Sequence, residues 1–419
     1  MKCHSVNPSI YYCEKTSINE YLLYNSVKHI PIKVTSRQYR FFNILLSNRQ
    51  NEAFVSKKKE LEEYTDFIEQ LKKIDFLSTD TEWISKDSLL EKFDSRKKCF
   101  YYHLTHQCNL KCSYCYNKEQ RKKVVDLSFD QWLRIMNRTL PYAHTIILTG
   151  GEPTLCTHFN KIVRYIHDFD NTIRIEMISN ANTDYQNPNI SEVLPFIKSI
   201  KISCDSINDI KQERVGFNKT IFNNNLKVID KLGMKGNLTI SSVLLKGNVD
   251  EVLATKRFCE KNECDFSSSV FIPTKKQDVD KMPSVDEVNI FYELQKGQKP
   301  NDSIQYKTIT CQAGSVIFSV DSQGDVYPCQ SFHFADFRLG NFLTQTLEEI
   351  YNSQTATMLR VSNDVEYKAT CRECNLKYIC AGGCAANAYA LEGNILKHPQ
   401  TMCPYYKAGA LKRLKNVEF

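Results

Sequence analysis

The chain has 419 residues, of which 42% are hydrophobic and 25% charged, so it can bury a substantial core and lacks the composition of a disordered protein. The net charge of +7 is modest, and no dense Lys/Arg face indicates a nucleic-acid partner. No apolar run is long enough for a membrane span, and the polar start MKCHSVNPSIYYCEKTS has no signal-peptide core. These features predict a cytoplasmic protein with no membrane and no nucleic-acid partner.

Residues 1–95 predict a small separate unit. The segments YLLYNS and IPIKV indicate a hairpin of two strands, and TSRQYRFFNILLS follows as a helix capped by Thr35 or Ser36. A second helix has apolar residues at a helical period from Leu61 to Ile74, and FLSTDTEWI is expected to add a closing strand. This order favours a winged-helix-like module. The alternative is an extension that packs on the next domain.

Residues 96–300 alternate between strand and helix patterns. The expected strands are KCFYYHLTH, HTIILTG, IRIEMISN, SIKISCD, LTISSVLL and DFSSSVFI, and the helices include SFDQWLRIMNRTL with a Ser128/Gln131 capping box. About six strand–helix units predict a parallel sheet or an α/β barrel. Cys108, Gly150, Asn180 and Asp205 each follow a strand, so they are expected to converge at one mouth of the barrel.

The chain contains 17 cysteines, many for a protein expected in a reducing compartment, where metal ligation is more common than disulfides. Ten cysteines occur in spacings typical of metal ligands, and the other seven are scattered. Cysteines dominate after about residue 300, where the strands shorten. Residues 301–419 therefore predict a third domain that is stabilised by metal more than by a large core.

Three of the ten cysteines lie in THQCNLKCSYCYNKEQ, as Cys108, Cys112 and Cys115. A structural zinc site takes four ligands, whereas three thiolates suit an iron–sulfur cube with one open iron. At this spacing, after the first barrel strand, the motif resembles that of the radical S-adenosylmethionine (radical SAM) enzymes. The resemblance implies a partial (β/α)6 barrel whose open iron is chelated by the amino and carboxylate groups of SAM.

The same resemblance extends to the loops after the later strands. In LTGGEP, two glycines allow close backbone approach, and Glu152 offers an anion for an ammonium group; the family holds the methionyl amino group with this segment. The ISNAN, ISCD and QERVG segments are further candidate SAM contacts, and an Arg there could pair the SAM carboxylate. The expected cofactor-binding residues are Tyr114, Gly150, Gly151, Glu152, Ser179, Asn180, Ser203, Asp205 and Arg214.

The seven C-terminal cysteines resemble the SPASM domain, which carries two auxiliary 4Fe–4S clusters. By that resemblance, one cluster is held by Cys371, Cys374, Cys380 and Cys403, and the other by Cys311, Cys329 and Cys384. Many relatives have an eighth cysteine between the first Cys and the Gly of the Gly-x4-Cys motif, and residues 312–323 contain none. The second set therefore implies an open iron or an unusual ligand. The expected total is three 4Fe–4S clusters.

Most radical SAM/SPASM enzymes modify peptides. The resemblance implies hydrogen abstraction from a ribosomal precursor peptide, giving a thioether, a carbon–carbon crosslink or a similar oxidation, with the leader bound by residues 1–95. A donor such as flavodoxin or ferredoxin is expected to supply the electron, and no catalytic base is assigned. One alternative is an anaerobic sulfatase-maturing enzyme. Those generally carry Asp after the Cys of Gly-x4-Cys, where this chain has Gln330. An alternative of another class is a zinc-stabilised peptide-binding protein.

Overall fold

The computed structural model describes residues 11–15, 19–25, 30–47, 64–73, 97–118, 125–207, 213–294, 309, 311–372, 374, 376–397 and 400–415. None of the helices within these ranges is long and apolar enough to cross a bilayer.

The N-terminal unit is an antiparallel sheet of three strands with two helices. The elements are β1 (Tyr11–Lys15), β2 (Glu20–Asn25), β3 (Ile30–Thr35), α1 (Ser36–Ser47) and α2 (Thr65–Lys73), and β2 lies between β1 and β3. The predicted hairpin is confirmed as β2–β3, whereas β1 was not predicted because YYCEK lies in a polar segment. Thr35 caps α1, since its hydroxyl accepts from the Gln38 N–H at 3.2 Å. The predicted strand FLSTDTEWI lies outside the described residues.

The two faces of this sheet have different partners. One face packs on its own helices, through residues that include Leu23, Val34 and Phe42. The opposite face carries Leu22 and Tyr24, which are buried against Leu376, Ile379 and Ala410 near the C-terminus of the chain, together with Cys374 and Cys380. The N-terminal unit is therefore joined to a cysteine-bearing segment of the C-terminal region by an apolar contact.

The central region forms a curved run of six parallel strands with helices between them, as predicted. Its elements in chain order are β4 (Lys98–His103), β5 (Lys111–Cys112), α3 (Phe129–Thr139), β6 (Ala143–Thr149), α4 (Phe159–Phe169), β7 (Arg174–Ser179), α5 (Pro188–Ser191), β8 (Ser199–Ser203), β9 (Arg214–Val215), α6 (Lys219–Lys231), β10 (Leu238–Leu244), α7 (Val249–Lys261), β11 (Asp265–Val270) and α8 (Val285–Leu294). The parallel strands lie in the order β11-β10-β8-β7-β6-β4. The Ser128/Gln131 capping box at α3 is present, and α6 ends before Gly233, whose φ is +67°.

The barrel strands have one face against the helices and one toward the interior. The helix-facing side chains are fully buried and contribute to the main core, as Ile175, Ile200 and Ile240 show. The alternate residues, such as Glu176 and Lys201, are only partly buried. This alternation leaves a polar, partly accessible interior surface in the barrel.

The C-terminal region extends the barrel sheet. Strand β12 (Ile317–Val320) pairs in parallel with β4, and β13 (Asp325–Tyr327) and β14 (Gly340–Asn341) follow antiparallel, giving a nine-stranded sheet. Phe318 of β12 stacks on Phe100 of β4 with ring centroids 5.8 Å apart. Short helices complete the region: α9 (Leu347–Tyr351), α10 (Gln354–Ser362), α11 (Ala369–Arg372), α12 (Lys377–Cys380), α13 (Ala385–Glu392) and α14 (Cys403–Lys415).

Candidate cofactor site at the barrel mouth

The loop with Cys108, Cys112 and Cys115 lies at the carboxyl end of β4 and is fixed to the loop after β8. Strand β5 pairs antiparallel with β9, which places Cys112 opposite Arg214 and Lys111 opposite Val215. The Ser113 N–H also donates to the Glu213 carbonyl at 3.0 Å. The sequence put Cys108 and Asp205 after separate strands, and the structure links their loops directly.

The glycines of LTGGEP permit close contact with the chain that leads into the cysteine loop. The Gly151 N–H donates to the Thr105 carbonyl and the Glu152 N–H to the Gln107 carbonyl, both at 2.8 Å. A Cβ atom on Gly150 would lie 2.4 Å from the Thr105 oxygen, and one on Gly151 would lie 2.0 Å from the Gln107 oxygen. The two glycines therefore approach the backbone of residues 105–107. The motif alone did not indicate this contact.

The Glu152 carboxylate is fully buried and engaged by protein donors. Its Oε1 accepts from Thr154 Oγ1 at 2.6 Å and Ser179 Oγ at 2.8 Å, and its Oε2 accepts from the Asn180 N–H at 2.7 Å. Burial raises the pKa of Glu152, and these hydrogen bonds act against the rise. The side chain thus ties the loop after β6 to the loop after β7. Whether it also meets an ammonium group stays a prediction.

Asn180 lies beside the cysteine loop. Its amide nitrogen is 3.6 Å from the Cys108 sulfur and donates to Asn109 Oδ1 at 2.9 Å. Ser179 is buried beneath it, where its hydroxyl bonds to Glu152 and to the Tyr185 hydroxyl. Of the two residues predicted from ISNAN, Asn180 therefore contacts the cysteine loop. Ser179 instead contacts Glu152 and Tyr185, which lie beneath that loop.

Asp205, Arg214 and Tyr114 form a compact cluster at the same mouth. Arg214 Nε lies 3.0 Å from Asp205 Oδ2, and the Tyr114 hydroxyl donates to the same carboxylate. The guanidinium carbon lies 5.5 Å from the centre of the Tyr114 ring, and a guanidinium nitrogen is 4.0 Å from the Cys112 sulfur. Ser203, the last residue of β8, is half-buried and pairs with Ser241 of β10.

The charged groups at this mouth are largely buried, and each shifts the pKa of its neighbours. Burial works against the charge of Arg214, but Asp205, Tyr114 and Cys112 together raise its pKa. Burial also raises the pKa of Cys112, which the Arg214 cation counteracts and the Cys115 and Cys108 thiolates reinforce. Three thiolates at one site would repel one another, and ligation to the positively charged irons of a cluster would relieve that repulsion and remove their protons.

The C-terminal cysteines are predicted to form two ligand sets. We call Cys371, Cys374, Cys380 and Cys403 the Cys371 set, and Cys311, Cys329 and Cys384 the Cys311 set. Within the Cys371 set, burial raises the pKa of Cys371, with further repulsion from Cys380 and Cys374, and Cys403 is repelled by Cys374. The three thiols of the Cys311 set pack on one apolar cluster.

The thiols of the Cys311 set also influence one another. Burial raises the pKa of Cys329, and repulsion from Cys311 and Cys384 adds to the rise. The cysteines of the barrel-mouth loop, the Cys371 set and the Cys311 set are free thiols. In those ranges no three His, Cys, Asp or Glu side chains converge closely enough to chelate one metal ion. A cubane cluster does not require such convergence, because each thiolate binds a different iron. The donor set therefore fits 4Fe–4S clusters.

The barrel interior holds side chains that the sequence reading did not single out. Glu176 of β7 and Lys201 of β8 occupy alternate, interior positions, and Ser241 and Ser267 line the adjacent strands in register. The period-2 alternation of these strands was the available signal, since several of the alternate, partly buried positions are polar.

A curved parallel sheet with a three-cysteine loop at its carboxyl edge, followed by two groups of thiols, defines an iron–sulfur protein of the SAM-cleaving class. The family model described as the radical SAM superfamily matches residues 102–259, and that of the iron–sulfur cluster-binding SPASM domain matches residues 311–375. The chain is a radical SAM enzyme with a SPASM domain, and its cofactors are SAM and 4Fe–4S clusters. A count of three clusters is typical of SPASM enzymes.

Relatives of known activity support this assignment. The chain is 25% identical over 331 residues to the PqqA peptide cyclase of Methylorubrum extorquens, covering 70% of this chain and 81% of that one. It is 22% identical over 334 residues to the cysteine-type anaerobic sulfatase-maturating enzyme of Clostridium novyi, covering 67% and 85%. SuiB of Streptococcus suis, solved with S-adenosylmethionine and with the precursor peptide SuiA, shares the fold with a TM-score of 0.58. Its identity is 16%, over 95% of this chain and 99% of SuiB.

Proposed function

We propose that this enzyme oxidises a ribosomally made precursor peptide and installs a crosslink, a thioether or a carbon–carbon bond, or a similar modification. The observation that supports this most is the combination of three free thiols at the barrel mouth with two further thiol sets behind it. Peptides are the substrates named for PqqA peptide cyclase and the partner seen with SuiB.

In this proposal, Cys108, Cys112 and Cys115 hold the cluster that supplies the electron for cleaving SAM to methionine and a hydrogen-abstracting 5′-deoxyadenosyl radical. Asn180 and Arg214 each place a side-chain nitrogen near a cysteine sulfur of that loop, at 3.6 and 4.0 Å. Arg214 pairs the carboxylate of SAM while Asp205 holds the guanidinium in place. Tyr114 supplies an aromatic face beside the adenine.

The remaining expected contacts have supporting roles in the proposal. Gly150 and Gly151 let residues 105–107 run alongside the LTGGEP loop, whose backbone receives the methionyl amino group. Glu152 and Ser179 fix this loop from below, and Ser203 faces the interior. The Cys371 set and the Cys311 set would hold the auxiliary clusters, which would supply an acceptor for the electron lost when the peptide is oxidised.

The N-terminal unit is proposed to bind the leader of the precursor as an additional strand, since β1 and β3 are the edges of its sheet. This brings the segment to be modified to the barrel mouth at a high effective concentration. A small electron-transfer protein such as flavodoxin or ferredoxin supplies the reducing electron.

The test is co-expression with candidate precursor peptides encoded beside the gene, followed by mass spectrometry. A crosslink or thioether is expected to reduce the peptide mass by two hydrogens. In parallel, the anaerobically reconstituted enzyme should form 5′-deoxyadenosine with dithionite. Deoxyadenosine formation without any change in a panel of co-encoded peptides would contradict the peptide assignment while leaving the cofactor assignment intact.

A sulfatase-maturating activity is the second candidate, favoured by the likeness to the Clostridium novyi enzyme. Such enzymes generally carry Asp directly after the Cys of Gly-x4-Cys as a proton acceptor. Here Gln330 follows Cys329, and a glutamine amide cannot act as a base. A synthetic sulfatase peptide with Cys at the modified position decides the matter, because formylglycine formation removes the cysteine sulfur, whereas a crosslink removes only two hydrogens.

A further inference from the structure

The loop that connects the two auxiliary thiol sets is only three residues long. Cys380 belongs to the Cys371 set and Cys384 to the Cys311 set, so residues 381–383 are the shortest covalent link between them. All three adopt positive φ angles, of 52°, 76° and 71°. Such a run is uncommon and marks a tightly shaped turn.

The side chain of Lys368 reaches the middle of this link. Its Nζ donates to the Gly382 carbonyl at 3.0 Å, and only 1% of the residue is exposed. A Cβ atom at position 382 would lie 2.8 Å from Lys368 Cδ and 3.1 Å from its Nζ. The glycine therefore provides the space through which the lysine enters.

Lys368 differs from the other buried lysine of this region in what neutralises it. Lys377 lies 3.0 Å from the Glu366 carboxylate. Within the described ranges, Lys368 forms no ion pair with a carboxylate. The carbonyl that its Nζ binds lies two residues from Cys380 of the Cys371 set and two residues from Cys384 of the Cys311 set. The Lys368 carbonyl also accepts from the Cys371 N–H at 2.9 Å.

The buried ammonium group of Lys368 therefore lies on the link between the two ligand sets. A charge buried away from water is stable only when an opposite charge lies nearby. The cysteine thiolates of the two sets would supply that opposite charge on both sides of Lys368. Lys368 therefore lies close to both ligand sets and does not belong to one of them alone.

We propose that Lys368 is the shared counter-charge of the two auxiliary clusters and raises the reduction potential of both. The proposal rests on the two clusters assigned above. The reduced form of a cluster carries one more negative charge than the oxidised form, so a buried cation nearby stabilises it. Lys368 would thereby make both clusters better acceptors for the electron that leaves the peptide, and would couple their charge states.

The experiment is an EPR-monitored redox titration of the full-length, anaerobically reconstituted protein. Replacing Cys108, Cys112 and Cys115 with Ala in every sample leaves only the auxiliary clusters to observe. Lys368→Met removes the charge at similar size, Lys368→Arg retains it, and Lys397→Met removes an exposed lysine as the control. Iron per chain is measured for each protein.

Lys368→Met is expected to lower the reduced-to-oxidised ratio of both auxiliary clusters about tenfold at a fixed potential, equal to ~59 mV for a one-electron couple. Lys368→Arg and Lys397→Met should stay near the parent ratio. An unchanged ratio, a shift of one cluster alone, or an equal shift in the Arg variant would overturn the proposal.

The iron content separates this proposal from the cluster assignment itself. If the Met variant loses auxiliary iron while the Arg variant keeps its iron and the parent ratios, the need for a cation at this position is supported. Loss of iron in both variants would mark Lys368 as a packing residue and overturn the proposal. Absence of auxiliary iron from the parent protein would overturn the cluster assignment as well.

Discussion

Arg214 and Asp205 form a buried ion pair, with 3.0 Å between Nε and Oδ2 and side-chain exposures of 11% and 2%. Asp205 follows β8, and Arg214 lies in the short ladder opposite Cys112. The pair therefore connects the barrel strand to the loop that is proposed to hold the SAM cluster. Its geometry bears on both stability and cofactor binding.

Replacing Asp205 with Asn should be strongly destabilising, because it leaves the Arg214 cation buried without a full counter-charge. Removing one partner of a buried pair costs about 3–5 kcal/mol. We expect this loss in the free energy of unfolding, together with reduced 5′-deoxyadenosine formation. The matched control is Glu192→Gln, which breaks the exposed Arg164–Glu192 pair at 2.9 Å and should cost about 0–1 kcal/mol. Equal effects of the two substitutions in chemical denaturation would refute the structural role of the pair.

Gly151→Ala should disrupt the SAM cluster selectively. The added Cβ would lie 2.0 Å from the backbone oxygen of Gln107, so the segment before Cys108 must move. We expect the protein to lose about one third of its iron and its SAM cleavage. Gly236→Ala is the control, because nothing lies within 4 Å of the new methyl group. Full iron content in Gly151→Ala would show that the cysteine loop tolerates this displacement.

Replacing Cys108, Cys112 and Cys115 together with Ala should remove one cluster of about three and abolish 5′-deoxyadenosine formation. The auxiliary clusters should persist, since their proposed ligands follow β11 in the chain and form separate thiol sets. Iron analysis and product chromatography check both statements. Continued SAM cleavage by the triple variant would disprove the assignment of this loop.

Tyr24→Ala should separate peptide turnover from SAM cleavage. Tyr24 is fully buried where the N-terminal sheet meets Leu376 and Ile379, so its truncation weakens that contact by up to about 3–5 kcal/mol. We expect peptide modification to fall while dithionite-driven SAM cleavage continues, because the proposed SAM contacts lie at the barrel mouth. A parallel loss of both activities would instead make the N-terminal unit a structural support for the catalytic domain.

The Cys311 set has three cysteines, which predicts an exchangeable iron on its cluster. A precursor peptide containing Cys should change the EPR spectrum of that cluster in the variant lacking the SAM cluster, since a thiolate is a strong iron ligand. The same peptide with Cys→Ser should leave the spectrum unchanged. If neither peptide has an effect, the site does not bind substrate and the case for thioether chemistry weakens.

Several elements of the fold followed from local sequence. The Ser128/Gln131 capping box, the end of α6 before Gly233 and the six barrel strands depend on hydrogen bonds or periodicities within a few residues. The cysteine spacings likewise resemble those of the radical SAM and SPASM classes, and that resemblance is a property of the local sequence.

Contacts between distant segments could not be inferred in this way. The pairing of β12 with β4 joins residues more than 200 positions apart. The sequence predicted a ligand for Glu152, but it did not show that the Glu152 carboxylate also binds the loop after β7. Whether a polar residue meets solvent, protein or cofactor depends on which strands become neighbours.

The sequence by itself determined the type of cofactor chemistry, because the kind and spacing of thiolates are local properties of the chain. Only the tertiary structure decided what surrounds those thiolates. It placed Arg214 beside Cys112 and Lys368 between the two auxiliary sets. Burial and charge balance arise when remote segments exclude water together, and no short stretch of sequence encodes that arrangement.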